Sequence, residues 1–285
     1  MLLAWSAAGS ASTSGGGTPV VATPAVEETV AAGTGYVAWA AAPKSTPHAF
    51  VAYAKKRGGS RFRVSPPGTK AFMGGIDGTT LIYQQIDHGQ SDLKVFDLAT
   101  KHRSDPPAGV NTKAWEYDPS ISGPWILFAR FMPATSTRSV VLFNTSTSRT
   151  RVLGAVHGAG NHADAGQVDG AFATWMICTP TCNVFVMSLT TGKKHEVPNP
   201  HHLEHYNPGV SPNGTVFFGQ SGKGCGTHAN IFRFSPGHAS RIALSLPNGD
   251  DVGDIYVVAG AGHTQVYFNH ARCPHDLDIY KFVAS

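Results

Sequence analysis

Fourteen histidines in 285 residues are the richest chemistry in this chain, and they are unevenly spread. His157 and His162 share one connecting segment, while His201, His202 and His205 share another. Asp250, Asp251 and Asp254 occupy a third. Neutral imidazoles grouped with a carboxylate suit a divalent transition metal. His157, His162, His201 and His205 therefore form a candidate metal set, and these with His202, Asp250 and Asp251 form a candidate ligand-binding set. The run His201-His202-Leu203-Glu204-His205 has the right residue types, but Pro198, Pro200 and Pro208 bound it as a loop. The helical i, i+4 facing on which an H-E-x-x-H pair depends is thereby missing. Exposed loop histidines bonded to backbone are the plainer reading. A second group, His228, His270, His275 and Asp276, flanks Cys225 and Cys273 and reads as the polar rim of a hairpin, with a small ion site as the lesser alternative. Nucleophilic chemistry has no foothold, because no G-x-S-x-G elbow occurs. Nor does any pair of carboxylates stand out from the turn positions where Asp is ordinarily used.

The cysteines bear on compartment. Four of them permit three pairings. Cys178 and Cys182 flank Thr-Pro-Thr, as a staple across a hairpin tip would. Cys225 and Cys273 each stand five residues before a similar strand, Asn230-Ile231-Phe232 and Asp278-Ile279-Tyr280. Disulfides Cys178–Cys182 and Cys225–Cys273 are expected, and they imply an oxidising, extracytoplasmic setting. A four-thiolate zinc site is the weaker alternative, since matched C-x2-C knuckles are missing.

Charge narrows the partners. Net charge is +4, yet the densest basic cluster, Lys55, Lys56, Arg57, Arg61 and Arg63, reads as a solvated hairpin. Nucleic acid would need a basic stripe interleaved with stacking aromatics, and none is evident. The opening apolar run is far too short to span a bilayer. Residues 1–17 read as a signal-peptide remnant or a flexible tail.

What must hold these residues in place is a repeat. Phe96, Phe143, Met187, Phe234 and Phe282 recur every 44 to 48 residues, and turn glycines at 78, 123, 170, 214 and 262 keep the same beat. Apolar strand runs such as Leu81-Ile82-Tyr83 and Val266-Tyr267-Phe268 fill the intervals. A fixed period of this size with all-strand content marks a radially repeated sheet, one blade per repeat. Residues 18–285 thus read as a single all-β, six-bladed propeller of four-stranded antiparallel blades. The last repeat stops one strand short, while residues near Pro19 belong to no repeat. The N-terminal segment is therefore expected to complete the last blade and remove its raw edge. Blades stack face to face, so Trp39, Trp125 and Trp175 are expected to pack between them.

Two recurring phrases carry a resemblance. Ile76-Asp77-Gly78, Val168-Asp169-Gly170 and Val210-Ser211-Pro212-Asn213-Gly214 look like degenerate S-P-D-G turns. Val95-Phe96-Asp97-Leu98-Ala99-Thr100 and Val186-Met187-Ser188-Leu189-Thr190-Thr191-Gly192 look like V-x-D-x-x-T-G strand endings. The chain resembles the TolB-like six-bladed propellers from about residue 24 onward, and that resemblance implies architecture without catalytic residues. The expectation is a secreted or periplasmic monomer that binds a protein, peptide or glycan through the loops between blades. The rival is a metal-dependent enzyme of polysaccharide-lyase type using the loop histidines.

Overall fold

A computed structural model of the chain describes residues 17–199, 203–221, 229–247, 250–260, 262–272 and 276–284. The first strand, β1 (Thr18–Val21), stands outside the repeat. Blade 1 is β2 (Val26–Ala32), β3 (Tyr36–Ala42), β4 (Val51–Lys56) and β5 (Arg61–Arg63). Blade 2 is β6 (Lys70–Asp77), β7 (Thr80–Asp87), β8 (Gln90–Asp97) and β9 (His102–Ser104). Blade 3 is β10 (Trp115–Ser122), β11 (Trp125–Met132), β12 (Thr137–Asn144) and β13 (Arg149–His157). Blade 4 is β14 (His162–Asp169), β15 (Phe172–Cys178), β16 (Cys182–Ser188) and β17 (Lys194–Glu196). Blade 5 is β18 (Glu204–Val210), β19 (Val216–Ser221), β20 (Asn230–Phe234) and β21 (Arg241–Ser245). Blade 6 is β22 (Asp250–Ala259), β23 (Thr264–Arg272) and β24 (Asp276–Ala284), with β1 as its outermost strand.

The molecule is an all-β, six-bladed propeller, each blade a four-stranded antiparallel sheet. Its ring is closed as the sequence implied. Thr18 pairs with Lys281, Pro19 with Tyr280 and Val21 with Ile279. Pro19 is tolerated because an edge strand need not donate on both sides. Helix is confined, among the described residues, to the 3-10 turn Pro133–Thr135, and no helix there is long and apolar enough to cross a membrane.

Apolar surface is buried between blades. Ala31, Ala38, Ala52 and Ala54 give blade 1 a shallow face that receives Met73, Tyr83 and Phe96 of blade 2. On its other face Trp39 and Val37 meet Tyr256, Tyr267 and Ile279 of blade 6. Trp175 is buried between blades 3 and 4, and Trp125 packs against the same cluster. A sheet buried on both faces needs apolar residues at successive positions, which is why the strands lack clean polar alternation.

The disulfide Cys178–Cys182 spans the tip of the β15–β16 hairpin, where the two cysteines are directly opposed. The expected Cys225–Cys273 bond lies outside the described residues.

Candidate binding site in the central channel

The six innermost strands β2, β6, β10, β14, β18 and β22 surround the axis, and each carries one residue more than its partner strand at the same level. Such a bulge twists the strand and re-aims its side chains. Blades alternate in how they build it. Thr29, Asp118 and Asn207, in blades 1, 3 and 5, take left-handed backbone angles of φ 47°, 46° and 50°. Blades 2, 4 and 6 use Gly74, Gly166 and Gly253 at that level. The glycines let neighbours close in, since a Cβ on Gly74 would stand 2.3 Å from the Pro119 carbonyl, and one on Gly166 2.3 Å from that of Pro208.

The channel formed in this way is partitioned. The Gln167 side chain reaches from blade 4 across to blades 5 and 6. Its Nε2 donates to the Val257 carbonyl at 2.7 Å, and its Oε1 accepts from the N–H groups of Val257 at 2.8 Å and Val210 at 3.3 Å. From blade 6 the Tyr256 hydroxyl accepts from the Ile76 N–H of blade 2 at 3.1 Å. Both side chains line an upper cavity of about 60 Å³ and a lower one of about 220 Å³.

The upper cavity is acidic. Asp118 and Asp254 line it, and both are driven toward the protonated form. Burial raises Asp254 to about 7, helped by the charges of Glu28 and Asp164. Burial likewise lifts Asp118 well above the usual carboxylate range, and Asp164 and Asp254 add to it. Burial also raises Glu28 and Asp164, with His48 opposing the first and His162, Tyr117 and Arg138 opposing the second. Four carboxyls thus share one desolvated axis inside a chain whose net charge is +4. In the lower cavity burial raises Asp169 to about 6, with the Asp77 charge adding. Asp77 itself accepts from the Gly123 N–H at 2.7 Å.

The histidines are arranged differently from the sequence expectation. His157 ends β13 and bonds Thr137 Oγ1 through Nδ1 at 2.9 Å. His162 opens β14, exposed, near enough to Asp164 for its charge to be felt. His205 is no loop residue. It lies within β18, fully buried against Phe218, with Nε2 on the Gln220 side-chain nitrogen at 2.7 Å, and burial lowers it to about 4. The prolines around it do not end regular structure, because Pro208 sits in the bulge of a strand. His201 and His202 lie outside the described residues.

Asp250 and Asp251 do not face the channel together. Asp250 bonds His270 Nε2 at 2.6 Å, and Asp251 accepts from the Tyr206 hydroxyl at 2.9 Å. His270 is likewise no rim residue, being buried in β23 beside Tyr280. His228 and His275 lie outside the described residues. Among the described residues no three His, Cys, Asp or Glu side chains converge as metal ligands. Sequence reasoning missed Asp118, Asp164 and Glu28 altogether and named Asp254 only as a loop residue. One signal was there: Asp118-Pro119 and Asn207-Pro208 are Asx-Pro pairs inside strands, where proline is confined to bulges and edges.

No family model and no curated relative matches this sequence. Solved structures do match by shape. The putative TolB from Agrobacterium tumefaciens aligns at TM-score 0.62 and 12% identity, over 92% of each chain. TolB from Acinetobacter baumannii aligns at 0.57 and 11%, over 88% of this chain and 67% of that one. An acylaminoacyl peptidase from Pyrococcus horikoshii aligns at 0.53 and 12%, over 92% of this chain but only 46% of its own length. In fold, this chain is a TolB-like six-bladed β-propeller. The same fold also forms part of a peptidase, so the architecture by itself does not select a chemistry.

Proposed function

We propose that the protein is a binding module working outside the cytoplasm, and that its upper channel mouth receives a cationic group from a peptide or protein. The carboxyls facing one another across that cavity carry the reading. Burying like charges together is unfavourable unless a proton or a ligand cation compensates. Asp254, held at about 7, is poised to exchange its proton for such a cation near neutral pH. An exposed apolar corner flanks the channel on blade 3. There Trp115, 43% exposed, packs edge-on against Phe131 beside the exposed Met132. The Cys178–Cys182 disulfide supports the oxidising setting.

Calorimetry with a short lysine- and arginine-containing peptide, against its glutamate counterpart, tests the reading. The basic peptide should bind with proton release, more tightly at pH 8 than at pH 6, and about tenfold more weakly to the double variant Asp118→Asn/Asp254→Asn. Equal binding of both peptides, or an unaffected variant, would refute it.

A further inference from the structure

Blades 1 and 3 share a local design, and they differ at one residue that matters. Thr112-Lys113-Ala114-Trp115-Glu116 enters blade 3, and Thr23-Pro24-Ala25-Val26-Glu27 enters blade 1. In each, the threonine hydroxyl bonds the glutamate Oε1 and accepts from the alanine N–H two residues on. Both glutamates are fully buried. In blade 3 the residue opposite Glu116 is Arg130, whose Nε donates to the carboxylate at 2.8 Å. In blade 1 the residue opposite Glu27 is Ala41.

What faces Glu27 instead of a guanidinium is another acid. Asp278, on β24, lies close enough for its charge to push the Glu27 carboxyl up. Among the described residues Glu27 Oε2 has no donor, and neither does Oδ1 of the nearby buried Asn269, whose Nδ2 donates to the Glu27 carbonyl at 3.0 Å. Thr23 is on the entering segment, Ala41 on β3, Asn269 on β23 and Asp278 on β24. His270, opposite Asp278 in register, is engaged by Asp250. Glu28 points the other way, toward His48 and the Asp254 charge. Among the described residues no ion pair forms to Glu27.

We infer that a proton on the buried Glu27 carboxyl, facing Asp278, fastens blade 1 to blade 6 at the point where the ring closes. Two bare carboxylates in that buried contact would repel, whereas a Glu27 hydroxyl on Oε2 donates to Asp278 and satisfies both. Burial holds the Glu27 carboxyl at about 7, with Asp278 contributing. The folded pKa lies above the unfolded one, so the contribution is complete in mild acid and is lost as pH rises toward and through 7. The closure is therefore proton-dependent near neutrality; in the blade 3 twin burial also raises Glu116, with Thr112 and Arg130 opposing it.

Hydrogen exchange read by mass spectrometry on the whole protein tests this, with rates corrected for intrinsic chemistry. Between pH 5.5 and 8, protection of residues 18–32 should fall by about tenfold or more, and further than that of residues 137–144, a strand without acids. Glu27→Gln should flatten the profile of residues 18–32. Asp278→Asn, which keeps Glu27 buried but removes the neighbouring charge and offers an amide donor, should move the fall to lower pH, and it covers the case in which the first variant folds poorly. A profile left unshifted by Asp278→Asn would overturn the proposal. So would restoration of protection at pH 8 by millimolar calcium, since the occupant would then be a metal cation.

Discussion

Asp97 and Asp254 are the same residue placed in opposite circumstances. Asp97, at the outer turn of blade 2, is partly exposed and accepts from four donors. They are the N–H groups of Thr100 at 2.7 Å and Ala99 at 2.9 Å, and the hydroxyls of Thr100 at 3.0 Å and Thr79 at 3.1 Å. Its carboxyl is held below the usual range, chiefly by the Thr100 N–H. Asp254, on the axis, has burial and like charges around it and is held up at about 7. The outer aspartate is satisfied by its own turn. The inner one is left wanting a counter-charge, which is the condition a ligand can exploit.

The contrast explains what could be read from the chain beforehand. Asp97 is the aspartate of a strand-ending phrase, and Asn144 and Ser188 take its place in the next two blades, each accepting from N–H groups two or three residues on. Such turns are local, so they leave a local mark in every repeat. The period, the blade count and the closing strand followed from those marks. The axis has no local signature. Glu28, Asp118, Asp164 and Asp254 are far apart in sequence and meet only when six strands converge. Each bulge also inserts a residue and so shifts the phase by which positions might have been matched between repeats. The histidines drew attention through their number, but His205 is fixed by Phe218 and Gln220 of its own blade and His270 by Asp250, so residue type alone misplaced them.

The sharpest way to separate axis from rim is a matched pair of glycine substitutions. Gly166→Ala drives a Cβ to 2.3 Å from the Pro208 carbonyl, and that backbone is fixed by the neighbouring blade. Its cost should be about 3 kcal/mol or more in urea unfolding. Gly192→Ala, at the outer turn of blade 4 with φ 71°, meets only the distant Arg151 guanidinium. Strain in the left-handed region limits its cost to roughly 1 kcal/mol. Equal costs would mean that blade contact at the axis is loose enough to give way.

Asp254→Asn should have a smaller effect, and of the opposite sign. The wild-type carboxyl is raised from 3.8 to about 7 on folding, so its favourable contribution fades as pH climbs through that interval. At pH 3, below the unfolded value, the variant and the wild type should unfold alike. At pH 8 the variant should be more stable by about 1–2 kcal/mol, a figure already reduced for water in the channel. A wild type whose stability rises with pH relative to the variant would show that a cation already compensates the axis.

Asp97→Asn closes the series with the least effect and reverses the pH sense. The folded carboxyl sits below its unfolded range, so whatever it contributes is present above that range and disappears as pH falls through it. Asparagine keeps an oxygen for the Ala99 and Thr100 N–H groups but loses the charge that strengthens those bonds. A small drop in melting temperature at pH 7, shrinking as pH falls below the usual carboxylate range, is the expected record. Because the turn is exposed and closed on itself, the variant should leave basic-peptide binding at the channel unchanged. If that binding weakened, the outer turn and the axis would not be the independent regions that their chemistry makes them.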